Sequence, residues 1–150
     1  MSRRLAAWRE LSVADRRKLL GLACGLPVIE ISLRCFGAQR TSSWLSRLFA
    51  PRAPRHATND ELRDADRLAQ LAAIAGRRGI VTARCLSQAL LVRTLLRRRG
   101  LETVLRVGVR KDDQRFDAHA WLELEGRALA QPSLQHVPFP SDDRITGATR

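Results

Sequence analysis

Two residues of this chain could make and break a covalent bond: Cys85 and His119, thirty-four positions apart. Cys85 opens a strongly apolar helix pattern. His119 sits inside a strand pattern that reads Asp117-Ala118-His119-Ala120-Trp121-Leu122-Glu123. A thiol is a useful nucleophile only as thiolate, and its reference pKa near about 8.5 must be lowered. Thr82 as N-cap would place Cys85 at the third helical position, beside unpaired backbone N–H groups and the positive end of the helix. An imidazole in contact could stabilise the thiolate and later protonate a leaving amine. The helix start also offers an oxyanion donor, Cys85's own N–H, a kind of contact worth roughly 3–4 kcal/mol. This is the logic of the catalytic triad with sulfur as the attacking atom.

A third group should hold the imidazole, and the hairpin after His119 selects it. With Leu124-Glu125-Gly126 as a three-residue loop and Gly126 left-handed, Glu123 pairs with Arg127, Trp121 with Leu129 and His119 with Gln131. Gln131 is then the expected orienting residue. A two-residue Glu-Gly turn would put Pro132 there instead. Asp117 ranks below Gln131, since it could pair with an arginine on the surface. Trp121 alternates onto the same face and could wall a cleft or fill a core. Each residue also has a plainer reading. A cysteine in an apolar helix is often a small buried hydrophobe, and a strand histidine is often structural. Cys24 and Cys35 take the structural reading, and His56 and His136 read as exposed.

The positioning elements follow from periodicity and punctuation. Residues 1–50 read as a helical segment, capped at Ser12 with Asp15 three residues on and kinked or broken at Pro27. Residues 51–59, with Pro51 and Pro54, read as a linker. The remaining residues, 60–150, form the chemical domain. Thr58 and Glu61 make a capping box for an Ala-rich helix that stops at Gly76. The Cys85 helix is apolar nearly all round, hence buried, and ends at Arg97-Arg98-Arg99 with Gly100 as its C-terminal cap. Thr103–Val109 alternates as a strand, 110–115 is a loop, and Arg127–Gln131 is a third strand. The tail from Pro132 looks irregular. The expected architecture is α+β: a central cysteine helix packed on a small antiparallel sheet, with an N-terminal helical segment.

Composition bounds the function. The net charge of +12 in 150 residues is almost wholly arginine. It suits anionic partners and equally a GC-rich coding bias, so it decides little. The arginines are dispersed and tyrosine is absent, which argues against a nucleic-acid binder. Three cysteines lack metal-ligand spacing, so no metal or cofactor is expected, and the odd count suits a reducing cytoplasm. The apolar run 19–36 is interrupted by Pro27, Glu30 and Arg34 and does not read as a signal peptide. The N-terminal helices read as packed on the chemical domain or docked on a partner rather than laid on a membrane, because their apolar residues are scattered and not confined to one stripe.

The run from Cys85-Leu86-Ser87-Gln88 to Arg99-Gly100, then Val107-Gly108-Val109-Arg110 and Ala118-His119-Ala120-Trp121-Leu122-Glu123 with Gly126, resembles the transglutaminase-like cysteine proteases of lasso-peptide biosynthesis. The likeness covers residues 60–135 and is to the stand-alone leader peptidase, or B2 form, of the microcin J25-processing family. The resemblance implies a papain/transglutaminase-like core that removes the leader from a ribosomal precursor peptide. Its partners would be that precursor, a separate peptide-recognition protein and the lasso cyclase. Cys85 and His119 match the nucleophile and base. The third member is usually an aspartate near Gln131, with Asp142 and Asp143 as distant substitutes. That departure admits an alternative, a weak or inactive scaffold that binds the precursor or the cyclase. A transamidase using the same pair is a further possibility.

Overall fold

The computed structural model describes residues 11–49, 52–78, 84–112, 115–130 and 137–138. Three helices, α1 (Val13–Leu48), α2 (Asn59–Arg78) and α3 (Cys85–Arg97), precede a sheet of β1 (Thr103–Asp112), β2 (Arg115–Leu124), β3 (Arg127–Ala128) and β4 (Val137–Pro138). The strand order is β3-β2-β1-β4, antiparallel throughout. The α+β architecture with its central cysteine helix is the one expected.

One core joins all three helices to the sheet. Leu22, Leu26 and Ile29 of α1 meet Leu68 and Leu71 of α2, Leu90 and Leu96 of α3, and Leu105, Leu122 and Leu124 of the sheet. Helix α1 is fastened to α2 by ion pairs as well, Lys18 with Asp64 and Arg67 with Asp15 at 3.0 Å. By length and composition α1 could cross a membrane, yet one of its faces is committed to this core. Its opposite face leaves Leu20, Val28, Ile31 and Phe36 exposed. The break in α1 falls at Gly37, with φ 77° and ψ 172°, and helical geometry continues through Pro27. Glycine reaches the left-handed region freely, whereas a proline removes only one hydrogen bond if the helix can bend around it.

The caps form as expected at three places. The Ser12 Oγ accepts from the Asp15 N–H at 3.1 Å. Thr58 and Glu61 make a reciprocal box, with the Glu61 N–H donating to Thr58 Oγ1 at 3.3 Å and the Thr58 N–H to Glu61 Oε2 at 3.0 Å. Bonding from the Arg55 guanidinium, with the Thr58 N–H, pushes the Glu61 pKa down to about 2. Helix α2 runs two residues past Gly76, where a side chain would collide with the Gln88 amide. Gly100, φ +80°, closes α3: its N–H reaches the Arg97 carbonyl and the Leu101 N–H reaches that of Leu96.

The 52–58 segment is bound along this helix end. The Arg52 N–H donates to the Arg97 carbonyl at 3.2 Å and the Arg55 N–H to the Gly100 carbonyl at 2.9 Å. A Cβ on Gly100 would stand 2.6 Å from the Ala53 carbonyl oxygen. Gly100 is thus required by its dihedral and by the strap that crosses it. Gly100→Ala should destabilise the fold by about 1–3 kcal/mol, read as a lower urea midpoint with an unchanged m-value.

The sheet departs from expectation in three ways. β1 and β2 are each longer than read, leaving only 113–114 between them. β3 follows a two-residue turn: Leu124 pairs with Arg127 and Glu123 with Ala128. Glu125 and Gly126 both have positive φ, 49° and 78°, which is the primed turn that matches strand twist. Glu125 tolerates this because its carboxylate accepts the Ala57 N–H at 2.7 Å and lies 3.3 Å from His56 Nδ1. The tail is not wholly irregular, since β4 returns to pair Val137 with Val109 and Pro138 with Gly108.

Candidate active site

Helix α3 begins at Cys85 itself, with Arg84 at the N-cap and no capping bond from the Arg84 side chain. Thr82 lies outside the described residues, and Cys85 is the first helical residue, not the third. The first intrahelical bond runs from the Gln88 N–H to the Arg84 carbonyl at 3.2 Å. The N–H groups of Cys85, Leu86 and Ser87 therefore have no partner within the helix and point toward its start.

The cap comes from α1. Glu30 is 3 % exposed and lies against this helix start. Its Oε2 accepts the Ser87 hydroxyl at 2.7 Å and the Arg84 N–H at 3.3 Å, and its Oε1 accepts the Arg34 guanidinium at 3.2 Å. Burial pushes the Glu30 pKa up, but the bonds from Ser87 and Arg84, with the bonding and charge of Arg34, outweigh it and hold it below 4.5. The sequence showed Glu30 only as an interruption in an apolar run. An acid inside the apolar run 19–36 was the available signal, but its partner lies 57 residues away.

Cys85 and His119 line one pocket of about 420 Å³. Helix α3 contributes Cys85, Gln88, Ala89 and Val92, the i, i+3, i+4, i+7 face, and α2 contributes Ala69, Ala72 and Ala73. The small α2 side chains leave the space open above the thiol. On the sheet side β3 pairs with β2 only at Glu123 and Leu124, so the pocket borders the β2 edge beyond it. At that edge it meets both faces of the strand, His119 and Trp121 from one and Ala120 and Leu122 from the other. Both Cys85 and His119 are half-buried, within reach of solvent and substrate. They share the pocket without a hydrogen bond between them. Catalytic contacts of this kind often tighten only around a substrate.

Trp121 serves both roles foreseen for it. It is buried, and its ring stacks on the imidazole with centroids 6.2 Å apart and planes 16° from parallel. That contact restricts the ring orientation of His119. The register that singled out Gln131 is not the one formed. After Ala128 the Leu129 N–H still reaches the Leu122 carbonyl at 2.9 Å, but Ala130 turns to φ 52° and its N–H goes to Asp66 Oδ1 at 2.8 Å. Gln131, Asp142, Asp143 and His136 lie outside the described residues. Cys24 and Cys35 are exposed on α1 and do not line the pocket, and His56 is fully exposed on the strap. Among the described residues no cluster of acidic, histidine and cysteine side chains could hold a metal ion.

A transglutaminase-like superfamily model matches residues 29–139. The chain belongs to that superfamily. The match begins inside α1, one residue before Glu30, so it takes in the helix that caps the cysteine helix as well as the sheet. No curated protein and no solved structure matches the chain.

Replacing Glu30 should expose what it satisfies. Glu30→Ala leaves the Arg84 N–H without its acceptor and the Ser87 hydroxyl with only the Arg84 carbonyl at 2.8 Å, and should cost about 1–3 kcal/mol. Its depressed pKa contributes stability that is fully present above the ordinary value of 4.5 and is lost as pH falls through the folded-state value. Between neutral pH and about pH 3 the wild type should therefore lose more stability than Glu30→Gln in urea titrations.

Proposed function

We propose that this member of the superfamily is a cysteine peptidase that removes the leader from a ribosomally made lasso-peptide precursor. The observation that carries the reading is the meeting of Cys85 and His119 on one solvent-reached pocket at the start of a buried helix. The lasso assignment rests on the resemblance of the Cys85 helix, the Val107–Arg110 strand and the Ala118–Glu123 strand to the stand-alone leader peptidases.

The chemistry divides into two steps. The Cys85 sulfur attacks the scissile carbonyl carbon, and the developing oxyanion is met by free N–H groups of the first turn of α3. The carbon–nitrogen bond then breaks, and the leaving amine takes its proton from the His119 imidazolium. A thioester to the leader remains. Water, giving a proton to His119, attacks that thioester and releases the leader as a carboxylate with the thiol restored. Glu30 occupies part of the positive helix end, which leaves the imidazole as the principal positive partner of the sulfur. Helix α3 and the stacked Trp121 supply the fixed geometry.

In this scheme the precursor arrives on a separate recognition protein, and the freed amine passes to the cyclase. Three free thiols accord with a cytoplasmic setting. Incubation of a precursor peptide with this protein and a recognition partner, followed by mass spectrometry, tests the reading. Cleavage should be lost in Cys85→Ala and fall by at least about 100-fold in His119→Ala, with circular dichroism unchanged in both. Equal cleavage by Cys85→Ala would remove the nucleophile. An intact precursor under all conditions would leave a binding scaffold as the function.

A further inference from the structure

A second groove continues from the catalytic pocket and shares Ala73 and Ala130 with it. It is an open cleft of about 900 Å³ between α2 and the β3 end of the sheet. One face of α2 supplies Asp66, Gln70, Ala73 and Arg77, spaced i, i+4, i+7 and i+11, and Arg127 faces them from β3. The charges here do not balance. Asp66 is occupied, since its Oδ1 accepts the Ala130 N–H at 2.8 Å and its Oδ2 the Gln70 amide at 2.8 Å. Arg77 and Arg127 are both exposed, and neither forms an ion pair or hydrogen bond among the described residues. Most other acids nearby are engaged elsewhere: Glu123 with Arg106, Glu125 with the strap, Asp64 with Lys18 and Arg99.

We propose that this groove is a substrate subsite that takes an acidic side chain of the peptide, close in sequence to the scissile bond. The inference rests on the peptidase reading and adds a charge preference to it. Two exposed guanidinium groups without an ion pair among the described residues, beside the pocket that Cys85 and His119 line, form a local positive field that a carboxylate would complete. Arg77 also sits in the last turn of α2, where a cation is favoured by the helix end alone. Arg127 has no such reason to be there. Asp66, which fixes the backbone at Ala130, shapes the floor of the groove and is too occupied to repel the ligand strongly. The peptide chain would run from Cys85 past Ala73 and Ala130 and set its carboxylate between the two arginines.

The test uses the full-length protein and a precursor-derived peptide series with one Asp placed at successive positions on each side of the cleaved bond, against Asn at the same position. Wild type should cleave one Asp peptide with a KM lower than its Asn counterpart by roughly tenfold, as two partly exposed charge pairs would give. That advantage should shrink with added salt. Arg77→Gln with Arg127→Gln should erase it while leaving kcat/KM for the Asn peptide unchanged, and single variants should erase part. Cleavage of Asp and Asn peptides with equal KM at every position would overturn the subsite while leaving the peptidase intact. So would an advantage that survives in the double variant. Failure of wild type on every peptide would instead remove the peptidase reading, and the subsite with it.

Discussion

The start of the Cys85 helix is the constraint on which the rest of the structure depends. A helix packed into a core begins with several backbone N–H groups that have no partner of their own, and burying them unpaired is expensive. Here the solution is tertiary. A buried carboxylate on α1, Glu30, reaches the Arg84 N–H and the Ser87 hydroxyl and is itself steadied by Arg34. Helix α1 is thereby tied to the catalytic element at the place where catalysis would occur. Under the proposed function, the first-turn N–H groups without a partner among the described residues would meet a substrate oxygen.

Much of this was legible from local chemistry. Ser12, Thr58 with Glu61, and Gly100 act where their side chains or dihedrals said they would, because a cap is decided within four residues. The alternation that put His119 and Trp121 on one strand face also held, because register within a strand is fixed by the pleat. What failed was anything decided at a distance. Glu125-Gly126 closes as a two-residue turn with Glu125 left-handed, a choice supported by a bond to Ala57 from 68 residues away. That single-residue change moved every partner on β3 and removed the argument for Gln131. The 52–58 stretch read as a linker by its prolines, yet its N–H groups dock on the end of α3. Glu30 looked like a flaw in an apolar run for the same reason: its partner was 57 residues away.

The pocket itself arises from small residues and a short strand. Ala69, Ala72 and Ala73 line it with small side chains, and among the described residues β3 pairs with β2 only at Glu123 and Leu124. Asp66 enforces that stop by holding Ala130 in a left-handed turn. Ala130 lines both this pocket and the arginine-lined cleft, so the two adjoin at this turn.

The central claim is that the Cys85 sulfur is activated by the His119 imidazole. Alkylation by iodoacetamide, mapped to each thiol by mass spectrometry, tests it directly, with exposed Cys24 and Cys35 as references in the same molecule. At about pH 6, below the reference thiol value, Cys85 should react faster than either reference, and His119→Ala should abolish that excess while leaving the references unchanged. A Cys85 no faster than Cys24 and Cys35 at that pH, or equally fast without His119, would contradict the account.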